Sequence, residues 1–287
     1  MKYFSITLSQ ENLNNLLIAY QDFIVDNNIE HALFKAVHRN VEIIAYKSGT
    51  VLLKGPDVSD EIVLIKEGLG LKDYEAIGSD EVGTGDVFGP IVVCSALVKM
   101  DDIPFLESLN IRDSKKMTDR EIIKLGPVLA ERLIHSLMIL HPAKYNEVSR
   151  KPGFNLNKIK ALLHNKAILK TSMKYELPVP VILDKFCTQS NYFNYLRDEE
   201  IVYSDINFHE RAENVHYSVA AAAIIARYAF IVALIKYRRE LNVTIPKGAG
   251  PKVDEVLEQI ITSHGINTLK QYAKLNYKNV TRLLENV

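Results

Sequence analysis

Cysteine is nearly missing from this chain. Cys94 and Cys187 are the only two in 287 residues and show no C-x-x-C spacing, which excludes a disulfide scaffold and a cysteine-built metal ribbon. Cys94 lies in the apolar run Ile91–Val98 and reads as a small core residue. Surplus charge is missing as well. The 35 Lys and Arg balance 35 Asp and Glu, so any case for a polyanionic partner has to come from local patterning. The first residues turn polar at Ser9-Gln10-Glu11-Asn12 before a secretory apolar segment forms, so a cytoplasmic protein is expected. Internal repeats and low-complexity segments are not seen. One long apolar run exists, Val215–Ile235, but Arg227 sits inside it and alanines fill Ala220–Ala223. A helix buried in a soluble core, not a membrane span, is expected there.

What is present reads as two units. A composition of 47% hydrophobic and 24% charged residues is that of a globular protein with ample core material, and the length suits about two domains. In the first 70 residues a strand Tyr3–Leu8 precedes a helix from about Gln10 to Asp26, its Leu13, Leu16, Leu17, Tyr20 and Ile24 at helical spacing and Ser9 at the N-cap. Extended runs follow at Ala32–His38, Val41–Tyr46 and Val51–Lys54, then a short helix from Val58 to Lys66 that ends at Gly68. The segment 31–56 carries Lys35, Arg39, Lys47 and Lys54 against Glu42 alone, while the acids Glu11, Asp22, Asp26, Asp57, Asp60, Glu61 and Glu67 lie around it. A basic sheet over acidic helices suits a polyanion; a solvated edge with scattered lysines fits the same pattern.

From residue 71 strands alternate with helices, which indicates an α/β domain with a mixed sheet. Strands are expected at Glu75–Ser79, Phe88–Val98, Ile134–His141, Val179–Asp184 and Val202–Phe208. Helices are expected at Thr118–Arg132, Leu156–Tyr175, Val215–Leu241, Val253–Ser263 and Thr268–Tyr272.

The chemistry is concentrated in Gly78-Ser79-Asp80-Glu81-Val82-Gly83-Thr84-Gly85. Asp80-Glu81 follows an apolar strand and precedes two glycines, where backbone can approach a ligand. Ionised carboxylates at a buried strand end are costly unless paired or metal-bound. A dinucleotide fingerprint is excluded, because position 88 is Phe and a strand, not a helix, follows. Asp184 ends a second apolar strand and Glu213 opens the long helix. Each alone reads as a turn or cap residue; together they mark positions that can converge at one sheet edge.

These stretches, with Asp113-Ser114-Lys115-Lys116, Leu183-Asp184 and Ala212-Glu213 followed by Val219–Arg227, resemble in order the motifs of the type 2 ribonucleases H across about residues 74–240. Thr84 stands where the HII pattern has Arg, and Glu213 where it has Asp; both departures point to the HIII subgroup. The resemblance implies a ribonuclease H-like catalytic domain, 71–287, preceded by a small α+β TATA-binding-protein-like domain, 1–70, that grips substrate. It also implies hydrolysis of the RNA strand of RNA/DNA hybrids, with Asp80, Glu81, Asp184 and Glu213 as catalytic and metal-binding acids for two Mg²⁺ or Mn²⁺ ions. Two ions roughly 3.5–4 Å apart activate a water and stabilise the leaving 3′ oxygen, giving 5′-phosphate and 3′-hydroxyl ends. Adjacent strand residues point to opposite faces, so either the Gly83–Gly85 turn re-aims Glu81 or Glu81 offers its backbone carbonyl. Backbone of Gly83, Thr84 and Gly85 is expected to meet the ribose 2′-OH. Lys115 and Arg227 are candidates for phosphate contacts, with Lys35, Arg39, Lys47 and Lys54 in the first unit. His216 stands as either a proton-transfer group or a structural histidine. A monomer is expected. The competing readings are HII-like excision of single ribonucleotides and a non-catalytic hybrid-binding protein, for which clustered acids near phosphates bring no advantage.

Overall fold

The computed structural model describes residues 1–25, 29–111, 114–175 and 177–285. Asp26 and Asp113, named above, lie outside the described residues. The chain divides into two compact units, Met1–Asp73 and Tyr74–Val287.

In the first unit β1 (Lys2–Thr7), α1 (Gln10–Ala19), β2 (Ile24–Val25), β3 (Ala32–His38), β4 (Val41–Tyr46), β5 (Thr50–Gly55) and α2 (Ser59–Gly68) follow one another. The strands form an antiparallel sheet in the order β1-β5-β4-β3-β2. Alternation decides its faces: Phe34, Ala36, Ile43, Ala45, Val51 and Leu53 are buried. The opposite face aligns Tyr3, Lys54, Glu42 and Val37 in one row and Ser5, Leu52, Ile44 and Lys35 in the next. Ser9 caps α1 by accepting from the Asn12 backbone N–H. The helix expected to run to Asp26 stops at Ala19, because Tyr20 turns inward to the buried Glu61 and the β-branched Ile24 and Val25 pair with β3.

The second unit runs β6 (Ala76–Val82), β7 (Ile91–Val98), α3 (Ile103–Ser108), α4 (Asp119–Arg132), β8 (His135–Leu140), α5 (Pro142–Val148), α6 (Leu156–Ser172), β9 (Val181–Asp184), α7 (Gln189–Tyr195), β10 (Asn207–His209), α8 (Tyr217–Leu241), α9 (Pro251–His264), α10 (Ile266–Tyr272) and α11 (Lys278–Glu285). Its sheet has the order β10-β9-β6-β7-β8. The β10, β9 and β6 strands are parallel, whereas β7 is antiparallel to both β6 and β8. This is the mixed sheet expected of the α/β class.

Helix α8 is long and apolar enough to cross a membrane by composition alone, but its Ala220–Ala226 stretch and Phe230 pack into the main core with Val92, Cys94 and Ala96 of β7. The approach is close because of Gly78. A β-carbon there would overlap the backbone of Ser218 and Val219. On the other side of the sheet, Ile77 and Leu97 join Ala161 and Ile168 of α6 in a second core cluster.

Three strands differ from expectation by three residues or more at one end. β6 continues to Val82 because β7 pairs alongside it, Asp80 with Cys94 and Glu81 with Val93. β7 starts at Ile91, not Phe88, since Gly89 takes φ +88° and Pro90 has no N–H to donate. The strand expected at Val202–Phe208 is confined to Asn207–His209. The side-chain amide of Asn165 takes up the Ile201 carbonyl and the Tyr203 N–H, groups a strand partner would otherwise need.

Candidate active site

Asp80 sits on the α8 face of β6, 7% exposed, and accepts a hydrogen bond from the Glu81 backbone N–H at 2.7 Å. Burial, then the neighbouring Glu81 and Asp184 charges, push its carboxyl well above the usual range; the Glu81 N–H and Lys115 oppose them. Asp184 ends β9, the parallel neighbour of β6, and accepts from the Ala212 N–H at 3.0 Å. That bond ties β9 to the one-turn 3₁₀ helix Ala212–Asn214, which carries Glu213. Glu213 is therefore not yet on the long helix, which begins at Tyr217. Its Oε2 is buried and has no hydrogen-bond partner.

Glu81 turns the other way. Its carboxylate forms an ion pair with Lys160 and meets His164 Nε2 at 2.9 Å, both on α6. Burial alone would raise this carboxyl, but His164 and Lys160 hold it below the usual range. The glycine turn thus does not re-aim Glu81 beside Asp80. Among the described residues, no three His, Cys, Asp or Glu side chains stand together as a ready-made metal cage. The unpartnered buried oxygen on Glu213 and the mutual crowding of Asp80 and Asp184 nevertheless suit divalent cations, and an all-oxygen donor set suits hard ones.

A cavity of about 270 Å³ opens at Asp80, lined also by Glu81, Val82, Ser114, Lys115, Ala223, Arg227 and Lys247. A larger cleft of about 730 Å³, between α9 and α11 residues such as Asp254 and Arg282, holds none of the candidate acids. Lys115 is close enough to Asp80 to act on its charge. Arg227, expected on a phosphate, bonds instead to the Ser114 carbonyl and, at 2.8 Å, to Asp119. It supports the turn that bears Lys115. Lys247 shares Asp119 at 2.6 Å. Burial would raise the Asp119 carboxyl, but hydrogen bonds from Lys247 and Arg227 hold it low.

The glycine turn is anchored from the C-terminal part of the chain. Gly83 has φ +89° and a β-carbon there would overlap the Pro90 carbonyl, whereas the space beside Gly85 is open. Tyr277 donates its hydroxyl to the Thr84 carbonyl at 2.5 Å. Lys274, fully buried, donates to the carbonyls of Asp86 and Gly89, each at 2.7 Å. Burial pushes its ammonium down to about 7, against the pull of Asp86.

His216 is fully buried. The Ser218 N–H donates to its Nδ1 at 3.1 Å, so the ring proton lies on Nε2, which donates to the Tyr74 carbonyl at 2.7 Å. In the first unit, Lys35 and Lys54 lie on the same sheet face and share Glu42, at 3.7 and 3.8 Å. Arg39 and Lys47 do not join them. Arg39 occupies a two-residue hairpin turn with Asn40, both at positive φ, and Lys47 lies in the turn at the other end of β4.

Residues 77–280 match the ribonuclease HII family model. Over 284 residues, 98% of each chain, the sequence is 48% identical to ribonuclease HIII of Phytoplasma mali. Against that of Listeria monocytogenes it is 35% identical, again over 98% of each chain. The solved Bst-RNase HIII in complex with Mn²⁺ superposes with a TM-score of 0.73 at 35% identity, covering 99% of both chains. The chain belongs to the ribonuclease HIII family. It is accordingly a hydrolase, an endonuclease that cuts the RNA strand of RNA/DNA hybrids. The fold agrees throughout, from the antiparallel sheet of the TATA-binding-protein-like type to the ribonuclease H-like mixed sheet.

Sequence reasoning missed Lys160, His164, Lys247, Lys274 and Tyr277. Lys160 and His164 stood four residues apart among apolar positions of a predicted helix, and Lys247 in a Pro-Lys-Gly-Ala-Gly-Pro loop; both patterns are visible signals. Nothing local marks Lys274 or Tyr277.

Proposed function

We propose that Asp80, Asp184 and Glu213 hold the divalent ions of this ribonuclease HIII by side chain, and that Glu81 serves through its backbone. The observation that carries this reading is the crowding of the buried Asp80 by the Asp184 charge, with Glu213 Oε2 buried and unpartnered on the turn whose Ala212 N–H bonds to Asp184. Bound Mg²⁺ or Mn²⁺ ions, two of them in this reading, would activate the attacking water and stabilise the leaving 3′ oxygen; Mn²⁺ is the ion named for the Bst relative. Lys115 supplies positive charge at the cavity mouth, where a phosphate would approach. The Gly83–Gly85 backbone, held by Tyr277, faces open space at Gly85 and is placed to read 2′-OH groups.

Residues 1–73 act as the hybrid-gripping unit through the open face that carries Lys35 and Lys54, with Tyr3 62% exposed beside them. The enzyme works as a monomer in the cytoplasm without a membrane partner; light scattering during gel filtration tests the first part. The deciding experiment offers a labelled RNA/DNA hybrid with and without Mg²⁺ or Mn²⁺. Metal-dependent cutting that leaves 3′-hydroxyl ends is expected, and undiminished cutting in excess chelator would overturn the assignment of the acids.

A further inference from the structure

Resting on that reading of the acids, we propose that Lys160 and His164 are positioning residues that set the spacing of Asp80 and Asp184 from the opposite face of the sheet. The β6–β9 ladder ends at the pair Ser79–Leu183. Asp80 and Asp184 lie one step beyond it, so ladder hydrogen bonds do not fix the distance between their carboxylates. A brace on the α6 side spans the two strand ends. Lys160 pairs with the Glu81 carboxylate and also stands 3.9 Å from the centroid of the Phe186 ring. His164 meets Glu81 at 2.9 Å and stacks on the same ring, with centroids 5.4 Å apart. Glu81 follows Asp80 directly, and Phe186 follows Asp184 by two residues. The other ring nitrogen of His164 meets Ser79 Oγ at 2.8 Å, and that hydroxyl donates to the Cys94 carbonyl at 3.0 Å. The brace therefore also reaches β7.

Such a network is costly as mere core. His164 is fully buried and Lys160 is 7% exposed, and two apolar residues would fill the same helix face without desolvating a cation and a carboxylate. An apolar pair would not, however, grip Glu81 directionally. With its side chain locked on the far face, Glu81 keeps its backbone toward the cavity and leaves Asp80 as the carboxylate there. Groups that orient metal ligands typically contribute 10- to 100-fold in metal affinity or activity.

The test compares Lys160→Met, His164→Gln and Phe186→Leu with Asp80→Asn, using Mn²⁺ titration calorimetry on the hybrid-free protein together with kcat and KM for hybrid cleavage. Lys160→Met is expected to weaken Mn²⁺ binding by about 10- to 100-fold and to lower kcat while KM for the hybrid stays unchanged. His164→Gln keeps a donor toward Glu81 and should lose less. Phe186→Leu removes only the ring contact and should weaken Mn²⁺ by about tenfold; it carries the test if Lys160→Met does not fold. Wild-type Mn²⁺ affinity and kcat in folded brace variants, with both lost in Asp80→Asn, would overturn the brace and leave the acids standing. Normal Mn²⁺ binding by Asp80→Asn would overturn the reading of the acids and the brace with it.

Discussion

The two faces of β6 treat neighbouring carboxylates in opposite ways. On the α8 side Asp80 is buried among like charges and accepts a hydrogen bond from its own neighbour's N–H, and Glu213 leaves an oxygen unpartnered. On the α6 side Glu81, one residue on, is met by a lysine and a histidine. One carboxylate is held in a state that favours a proton or a cation; the other is neutralised by the protein itself. Burial alone does not make a metal site. The difference lies in whether the fold supplies the counter-charge.

Opposite responses to neutralisation are the largest effect this comparison predicts. Asp80→Asn should lower cleavage by roughly 1,000-fold or more, about 4 kcal/mol of barrier. The same variant, metal-free at neutral pH, should resist urea at least as well as wild type, because a repelled charge has gone. Glu81→Ala should instead cost about 3–5 kcal/mol of stability, since Lys160 is left buried without its carboxylate. Equal urea midpoints for the two variants would erase the contrast between the faces.

The segment leaving β6 gives two smaller tests. If the Gly83–Gly85 turn reads ribose as proposed, Thr84, a hydroxyl where the HII pattern has Arg, leaves backbone contact alone to do so, which favours several successive ribonucleotides. A duplex with four or more consecutive ribonucleotides should be cut with a kcat/KM at least about tenfold above an otherwise identical duplex with one, a difference of about 1.4 kcal/mol. Equal values would favour single-ribonucleotide excision of the HII kind. Lys274, which anchors the same segment, should make stability rise with pH. Its folded pKa of about 7 lies below the unfolded value, so between about pH 7 and 10 the unfolded chain binds more protons and ΔG of unfolding grows, by at most about 1.4 kcal/mol per pH unit. A neutral amine still has two N–H groups for Asp86 and Gly89. Urea midpoints of wild type and Lys274→Met at pH 6.5, 8 and 9.5 should converge toward low pH relative to their separation at high pH.

The smallest effect concerns the open sheet of residues 1–73, where Lys35 of β3 and Lys54 of β5 share Glu42 of β4. The double variant Lys35→Ala, Lys54→Ala should flatten the slope of log affinity against log salt by about 2 units on a hybrid, taking about 0.9 per phosphate contact. An unchanged slope would remove this face from the substrate path.

Patterns with local causes were legible in the residues alone. The helical spacing of Leu13 and Leu16, the cap at Ser9, the alternating α/β order and the strand-end acids each follow from short-range rules. The burial of α8 could be read from Arg227 and the alanine run. What failed was decided at a distance: β6 ran on through Asp80 and Glu81 because β7 pairs beside it, and residues 201–206 are not strand because Asn165 claims their backbone groups. Arg227, with its charge plain in the sequence, is turned to Asp119 and Ser114 by packing.

By itself, then, the sequence determined the class of fold, the order of the elements and a set of candidate acids, because period, capping and motif are properties of neighbouring residues. Only the tertiary structure decided which carboxylate is left without a counter-charge and which is braced, and which glycine carbonyls the buried Lys274 holds. Those outcomes depend on α6, α8 and the chain around residues 272–277 meeting β6 from far along the sequence, where burial makes each unpaired or paired charge count.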